Sequence, residues 1–356
     1  MSAYTLAQSA ARRTVLLAVL VLGLAMLLLT ACGGDDEEPV AAGSGTGTEQ
    51  ASSDGGSGGD GKCEKMDTLV TGASPALAYA PPQIAETEGI LAKYCIKLKT
   101  ESIAGAAALL AQVQSGRAQL GLLNPAGIVQ AVQSGIKLRI IAPNTEPGDF
   151  ALVAAKKNDQ INELKDFEGK TLATSLLGAN TDIAIRVILE KAGVKNVKFV
   201  QVTSANIPQA IINGQVDGGQ GNEPSLTQFK DQYKVIHENP MVEAFGQGSP
   251  VTYAYVTEKF YNENKDLVTR YQKAYLEVAK MIQADETPFR KAAVDFAKLP
   301  KNVADTMRLP TLGTDYRFEA LMTQINALAK YKSLKQAPSE EEMRALFVPL
   351  PGTDGV

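Results

Sequence analysis

Covalent or metal chemistry needs nucleophiles, ligands or paired acids within reach of one another, and this chain offers few. Cys32, Cys63 and Cys95 are its only cysteines, and His237 is its only histidine. No two cysteines share a Cys-x-x-Cys spacing, and His237 follows Val235-Ile236 in a predicted edge strand. A zinc site needs several such ligands converging. No Ser/His/Asp set and no phosphate-cradling glycine loop is visible. These residue types argue against an enzyme, a bound metal and a resident cofactor.

The setting of Cys32 points to a different chemistry. Arg12 and Arg13 give a positive start, and Val15 to Leu29 is an unbroken apolar run. The run has the length of a signal-peptide apolar region and falls short of the ~20 residues of a spanning helix. It ends in Leu29-Thr30-Ala31-Cys32. A cysteine directly after small residues resembles the lipobox of bacterial lipoproteins. That resemblance implies a signal peptide over residues 1–31 and acylation of Cys32, with a palmitate-type chain holding the protein to a membrane. An uncleaved signal anchor is the alternative. Thr14-Val15-Leu16 after the arginines lacks the rest of a twin-arginine export pattern.

Residues 32–62 read as the acylated cysteine and a Gly/Ser/acidic tether. No large apolar residue interrupts the segment, so it cannot bury enough surface to balance chain entropy. A coil of this length spans roughly 30 Å. The tether carries seven acids and one base, Lys62, and so holds all the negative charge left once Arg12 and Arg13 are removed. From residue 63 onward the chain is formally neutral. No basic surplus exists to neutralise phosphates, which argues against nucleic acid. Export also places Cys63 and Cys95 in an oxidising compartment, where they can pair. A metal or catalytic thiol is the alternative.

The remainder alternates strands and helices. Strands are predicted at Thr68–Thr71, Ile96–Thr100, Leu120–Leu123 and Leu138–Ala142. The helices between them end at Gly89, Gly116 and Gly135. A second unit repeats the pattern, with strands at Thr171–Thr174 and Val197–Val202. Its helices are predicted at Thr181–Ala192, Ile207–Asn213 and Glu223–Gln232. Val251–Thr257 returns as a strand. Beyond it the chain is helical, with core stripes at Leu267, Tyr271, Tyr275, Val278, Ile282 and at Phe318, Leu321, Ile325, Leu328, Tyr331. The fold class expected is α/β, in two lobes with parallel sheets, a two-strand hinge near Phe150–Ala154 and Val251–Tyr255, and a helical C-terminal segment. Lobe 1 is assigned to 63–152 and 250–356, and lobe 2 to 153–249.

An internal echo relates the units. Ser115 to Asn124 aligns with Asn213 to Asn222: a helix-stop glycine, a short strand, then asparagine. Open α/β sheets bind ligands at strand carboxyl ends, so the candidate site gathers there. Ser74 and Tyr79 follow the first strand, and Gly105 opens a helix. Asn124 and Asn144 end later strands, Gly178, Asn180 and Thr181 open the main helix of lobe 2, and Asn222 and Glu223 face Asn124. Each asparagine could instead only cap a helix. No Lys or Arg lies in these loops, and Arg186 reads as a surface or interlobe residue. The charge pattern favours a neutral or zwitterionic organic ligand over a bare oxoanion.

Five stretches then line up with one family: Ala80-Pro81-Pro82-Gln83-Ile84-Ala85, Ala104-Gly105-Ala106, Ser115–Gly121, Phe167–Ala173 and Gly214–Pro224. In their order and spacing the chain resembles the solute-binding proteins of ABC importers for nitrate, sulfonates, taurine and thiamine pyrimidine precursors, over about Leu69–Leu276. Asn222 stands where that family has tryptophan, and the chain has no Trp. The resemblance implies a type II periplasmic binding protein fold that closes on a small-molecule solute. It also implies an ABC permease with its ATPase as partners and a monomeric protein. With the lipid anchor, it places the protein on the extracytoplasmic face, in a periplasm or outside a Gram-positive or actinobacterial membrane. Two other readings use the same scaffold: a lipoprotein sensor or adaptor for a protein partner, and a pyrimidine-precursor synthase-like enzyme. The synthases resembled use a cysteine-rich motif and an active-site histidine, and this chain has no cysteine cluster.

Overall fold

The computed structural model describes residues 63–353, so the expected signal peptide, Cys32 and the tether lie outside the described residues. Strands β1 (Asp67–Ala73) and β2 (Ile96–Ser102) pair in parallel, Asp67 opposite Ile96. Strands β3 (Gly121–Leu123) and β4 (Leu138–Pro143) follow, then the short β5 (Thr145–Glu146). The chain next builds β6 (Phe150–Ala155), β7 (Thr171–Thr174), β8 (Lys198–Gln201), β9 (Gly218–Asn222) and β10 (Tyr233–Glu238). It returns as β11 (Tyr253–Thr257), and β12 (Thr311–Leu312) pairs with β5.

The strand order reveals a repeat. One sheet runs β8-β7-β9-β6-β10, and a second group runs β3-β11-β4. A bridge between Thr71 and Leu120 joins β1 to the start of β3, extending the second group to β2-β1-β3-β11-β4. The two orders correspond strand for strand, and β3 and β9 take the same place. These are the strands of the echo, each preceded by a glycine, Gly116 or Gly214, at φ 77° or 75°. Glycine adopts that left-handed conformation with the least strain.

Each sheet holds one reversed strand. β6 is antiparallel to both β9 and β10, and β11 to both β3 and β4. The lobes are therefore mixed sheets. In each, the reversed strand is the one on which the chain arrives after crossing from the other sheet. The proposed hinge strands lie inside the sheets: β6 is buried along its whole length and sits between β10 and β9. The crossings fall just before β6 and β11. Along β6, Phe150, Leu152 and Ala154 enter one core while Ala151, Val153 and Ala155 enter another. That is the two-residue period of a strand covered on both faces.

Cys63 and Cys95 form a disulfide, which ties the start of the domain to the residue before β2. Arg270 reinforces this corner by donating to the Tyr94 carbonyl at 2.9 Å and pairing with Asp67 at 2.5 Å. The predicted stripes of the Lys265–Ala284 and Phe318–Lys330 helices are buried, apart from the half-buried Tyr331. The helix expected over Glu223–Gln232 shrinks to Ser225–Gln228, because β9 runs to Asn222 and Pro224 serves as N-cap.

Candidate functional site

A large cavity of about 940 Å³ opens between the carboxyl end of β3 and the segment after β7. On one side, Ala106 and Leu110 of the Ala106–Gln114 helix and Leu123 of β3 form an apolar wall. Asn124 stands beside it and caps the Pro125–Gln133 helix, its Oδ1 accepting the Gly127 N–H at 2.7 Å.

The opposite wall is Leu176-Leu177-Gly178 and the first turns of the Asn180–Lys191 helix. Leu176 and Leu177 are 56% and 47% exposed, unusual for leucines next to a core. Asp182 is fully buried, and its Oδ2 accepts from the Gly178 N–H at 2.8 Å and Arg186 Nε at 3.0 Å. The Arg186 guanidinium lies 3.8 Å from the centre of the Phe199 ring. Tyr331, Lys332 and Ser333, just past the Phe318–Lys330 helix, complete the rim. Lys330 pairs with Glu190 at 2.7 Å, linking that helix to the Asn180–Lys191 helix and holding the Glu190 carboxyl below its usual range.

A second cavity of about 270 Å³ sits at the end of β9, lined by Ser204, Gln220, Asn222, Glu223 and Tyr233. Gln220 Oε1 collects the hydroxyls of Thr174 and Thr181, each at 3.2 Å, and Gln220 Nε2 donates to Asn222 Oδ1 at 2.6 Å.

The expected residues thus divide. Asn124 and Gly178 line the large cavity, and Asn222 and Glu223 the small one. Thr181 reaches the small cavity through Gln220. Gly105 is the N-cap residue just before Ala106. Ser74 and Tyr79 interact with each other after β1, and burial pushes the Tyr79 phenol up. Asn180 is buried in the first turn of its helix with Oδ1 unpartnered. Asn144 is buried and braces the crossover: its Nδ2 donates to the Ala78 carbonyl and Thr252 Oγ1, both at 2.8 Å. Of Asn124, Asn180 and Asn222, only Asn124 caps a helix through its side chain.

Sequence reasoning did not find Leu176, Leu177 or the Tyr331–Ser333 rim. Two exposed leucines before a glycine were a legible signal; nothing near Lys332 was. Although the strand-end loops lack basic residues, the large cavity gains Arg186 from inside its helix and Lys332 from the distant rim. The cavity therefore offers mixed charge beside an apolar wall, a setting for a small organic molecule. Among the described residues no three His, Cys, Asp or Glu gather as a metal site. No helix among them is long and apolar enough to cross a membrane.

A family model described as NMT1/THI5 like matches residues 78–286. Among solved structures, the periplasmic aliphatic sulphonate binding protein of Escherichia coli superposes with a TM-score of 0.64 at 14% identity, covering 79% of this chain and 97% of that one. The periplasmic nitrate-binding protein of Synechocystis gives 0.61 at 11% identity, covering 78% and 85%. A Candida albicans protein described as having the generic periplasmic binding protein fold gives 0.60 at 10% identity, covering 82% and 99%. No curated protein matches by sequence. At these identities the structural likeness establishes the periplasmic binding protein-like fold.

Proposed function

Because the chain belongs to the NMT1/THI5-like family, we propose that it is the solute-capturing component of an ABC importer. It takes a small organic solute between lobes 63–152 with 250–356 and 153–249, and delivers it to a permease and its ATPase without catalysis. The single observation that carries this reading is the cavity of about 940 Å³, walled on both sides by strand ends and helix starts of different sheets. Leu176 and Leu177 stand exposed at its edge. Closure over a solute would bury them, a hinge motion typical of such proteins. The sequence around Cys32 supports lipid anchoring on the extracytoplasmic face, and a monomer suffices for capture.

The cavity's chemistry fits a sulfonate-, taurine- or pyrimidine-like solute better than a bare anion such as nitrate. Leu110, Leu176 and Leu177 present apolar surface for a solute to cover, while Lys332 and the partly exposed Arg186, paired with the buried Asp182, supply charge at the rim. The test is a thermal-shift screen of the full chain in detergent against sulfonates, taurine, nitrate, bicarbonate and pyrimidines. A ligand at a hundred times its Kd adds about 2.7 kcal/mol. A clear rise in Tm supports the reading. A flat response across the panel, with the protein folded and stripped of endogenous ligand, points instead to a sensor or adaptor for a protein partner.

A further inference from the structure

The smaller cavity at the end of β9 carries a specific recognition chemistry. Its polar lining is oriented by a chain of hydrogen bonds that starts at Ser175. The Ser175 backbone N–H can only donate, and it lies 3.3 Å from Gln220 Oε1. That contact fixes Oε1 as the carbonyl end of the amide. The hydroxyls of Thr174, Ser175 and Thr181 converge on the same oxygen. The Gln220 nitrogen must then face the other way, and it donates to Asn222 Oδ1 at 2.6 Å. With its oxygen turned to Gln220, Asn222 presents its NH2 group elsewhere, and no described residue accepts from it.

Tyr233 adds a second donor. Its ring is buried, and its hydroxyl, accessible at the cavity lining, has no partner among the described residues. Glu223 closes one side. Its Oε1 accepts from the Arg308 N–H at 3.1 Å and the Thr227 hydroxyl at 3.2 Å, and its Oε2 from the Thr227 N–H at 3.1 Å. None of these donors is a cation, because the Arg308 guanidinium is forked onto Glu238. The cavity therefore combines free donors with an uncompensated negative wall.

We propose that this cavity reads an uncharged oxygen acceptor, the carbonyl of a small amide or oxo-heterocycle, through Asn222 Nδ2 and the Tyr233 hydroxyl, while Glu223 repels anions. The proposal rests on the solute-capture reading and narrows its solute classes to the neutral, pyrimidine-like ones, against sulfonates and nitrate.

The test is calorimetric titration of the full chain with uracil, 2-pyrrolidone and nicotinamide, set against methanesulfonate and nitrate. At least one neutral probe should bind, and the anions should bind more weakly. Asn222→Asp keeps the acceptor that Gln220 uses, deletes the free donors and adds a negative charge beside Glu223, so Tyr233→Phe, which removes a donor without adding charge, is read alongside it. Asn222→Asp should weaken the neutral probe by roughly tenfold or more. Tyr233→Phe should weaken it less. Equal binding of the neutral probe by wild type and Asn222→Asp overturns the inference. So does binding of the anions as tight as that of the neutral probes. If the anions bind and Leu176→Ser with Leu177→Ser abolishes it, solute capture stands and this inference falls. No binding by any probe counts against both.

Discussion

The backbone N–H of Glu223 donates to the carbonyl of Asp149 at 3.0 Å, pinning the end of β9 to the residue before β6 at one of the two crossings between sheets. The crossing is tightly packed. A Cβ on Gly148 would lie 2.3 Å from the Leu309 carbonyl oxygen, so only glycine fits there. In this setting burial raises the Asp149 carboxyl to about 6, and the Glu223 carboxylate adds to the shift against the N–H groups of Gly148 and Asp149.

A folded-state value above the unfolded one gives this acid an unusual sign. Its stabilising contribution is complete below the unfolded value near 3.8 and is lost as pH rises through about 6. The native state binds the extra proton in that window, so stability falls with rising pH. Asp149→Asn should remove this component and stabilise the protein at pH 7 by about 2–3 kcal/mol. Urea titrations of both proteins at pH 4.5 and 7 check it. Curves that differ equally at the two pH values would show that Asp149 ionisation is not the cause.

Much of the scaffold was legible because glycines and short repeats encode local geometry. Gly116 and Gly214 marked helix ends, and the matching decapeptides around them placed β3 and β9 in equivalent positions. The cysteine pair followed from the compartment and the count. What stayed hidden depends on contacts remote in sequence. Lys332 and Ser333 reach the cavity only because the Phe318–Lys330 helix packs against the Pro125–Gln133 and Asn180–Lys191 helices. Nothing local announces that. Asn144 looked like a strand-end ligand residue, yet its NH2 group is spent on Ala78 and Thr252, 66 and 108 residues away. The reversal of β6 and β11 escaped the pattern too, since alternation of strands and helices does not record which strand the chain enters after a crossing.

The Phe318–Lys330 helix carries a polar group in its buried face. Gln324 is fully buried, and neither its nitrogen nor its oxygen has a partner. Met has similar length and no amide to desolvate. Gln324→Met is therefore expected to stabilise the protein by about 1–3 kcal/mol, seen as a higher urea midpoint at an unchanged m-value. A lower midpoint would reveal that the amide is satisfied by a bound water.

The Cys63–Cys95 bridge spans 32 residues of sequence. Loop-closure entropy gives such a link about 3–4 kcal/mol. Cys63→Ser should lower Tm accordingly, and dithiothreitol should lower the wild type to the same value without moving the variant. A reductant effect on the variant as large as on the wild type would place the redox sensitivity elsewhere in the chain.

Leu176 and Leu177 separate stability from capture. Both are largely exposed in the unliganded protein, so Leu176→Ser with Leu177→Ser removes little buried surface and should change unliganded stability by only about 0.5 kcal/mol. If closure buries them over a solute, each contributes apolar area only in the bound state, worth about 1–2 kcal/mol apiece at 25 cal/mol per Å². The double variant should then bind the same solute at least tenfold more weakly, with an unchanged melting curve when unliganded. Titration calorimetry with the ligand found in the screen measures it, and unchanged affinity would show that this wall does not close on the solute.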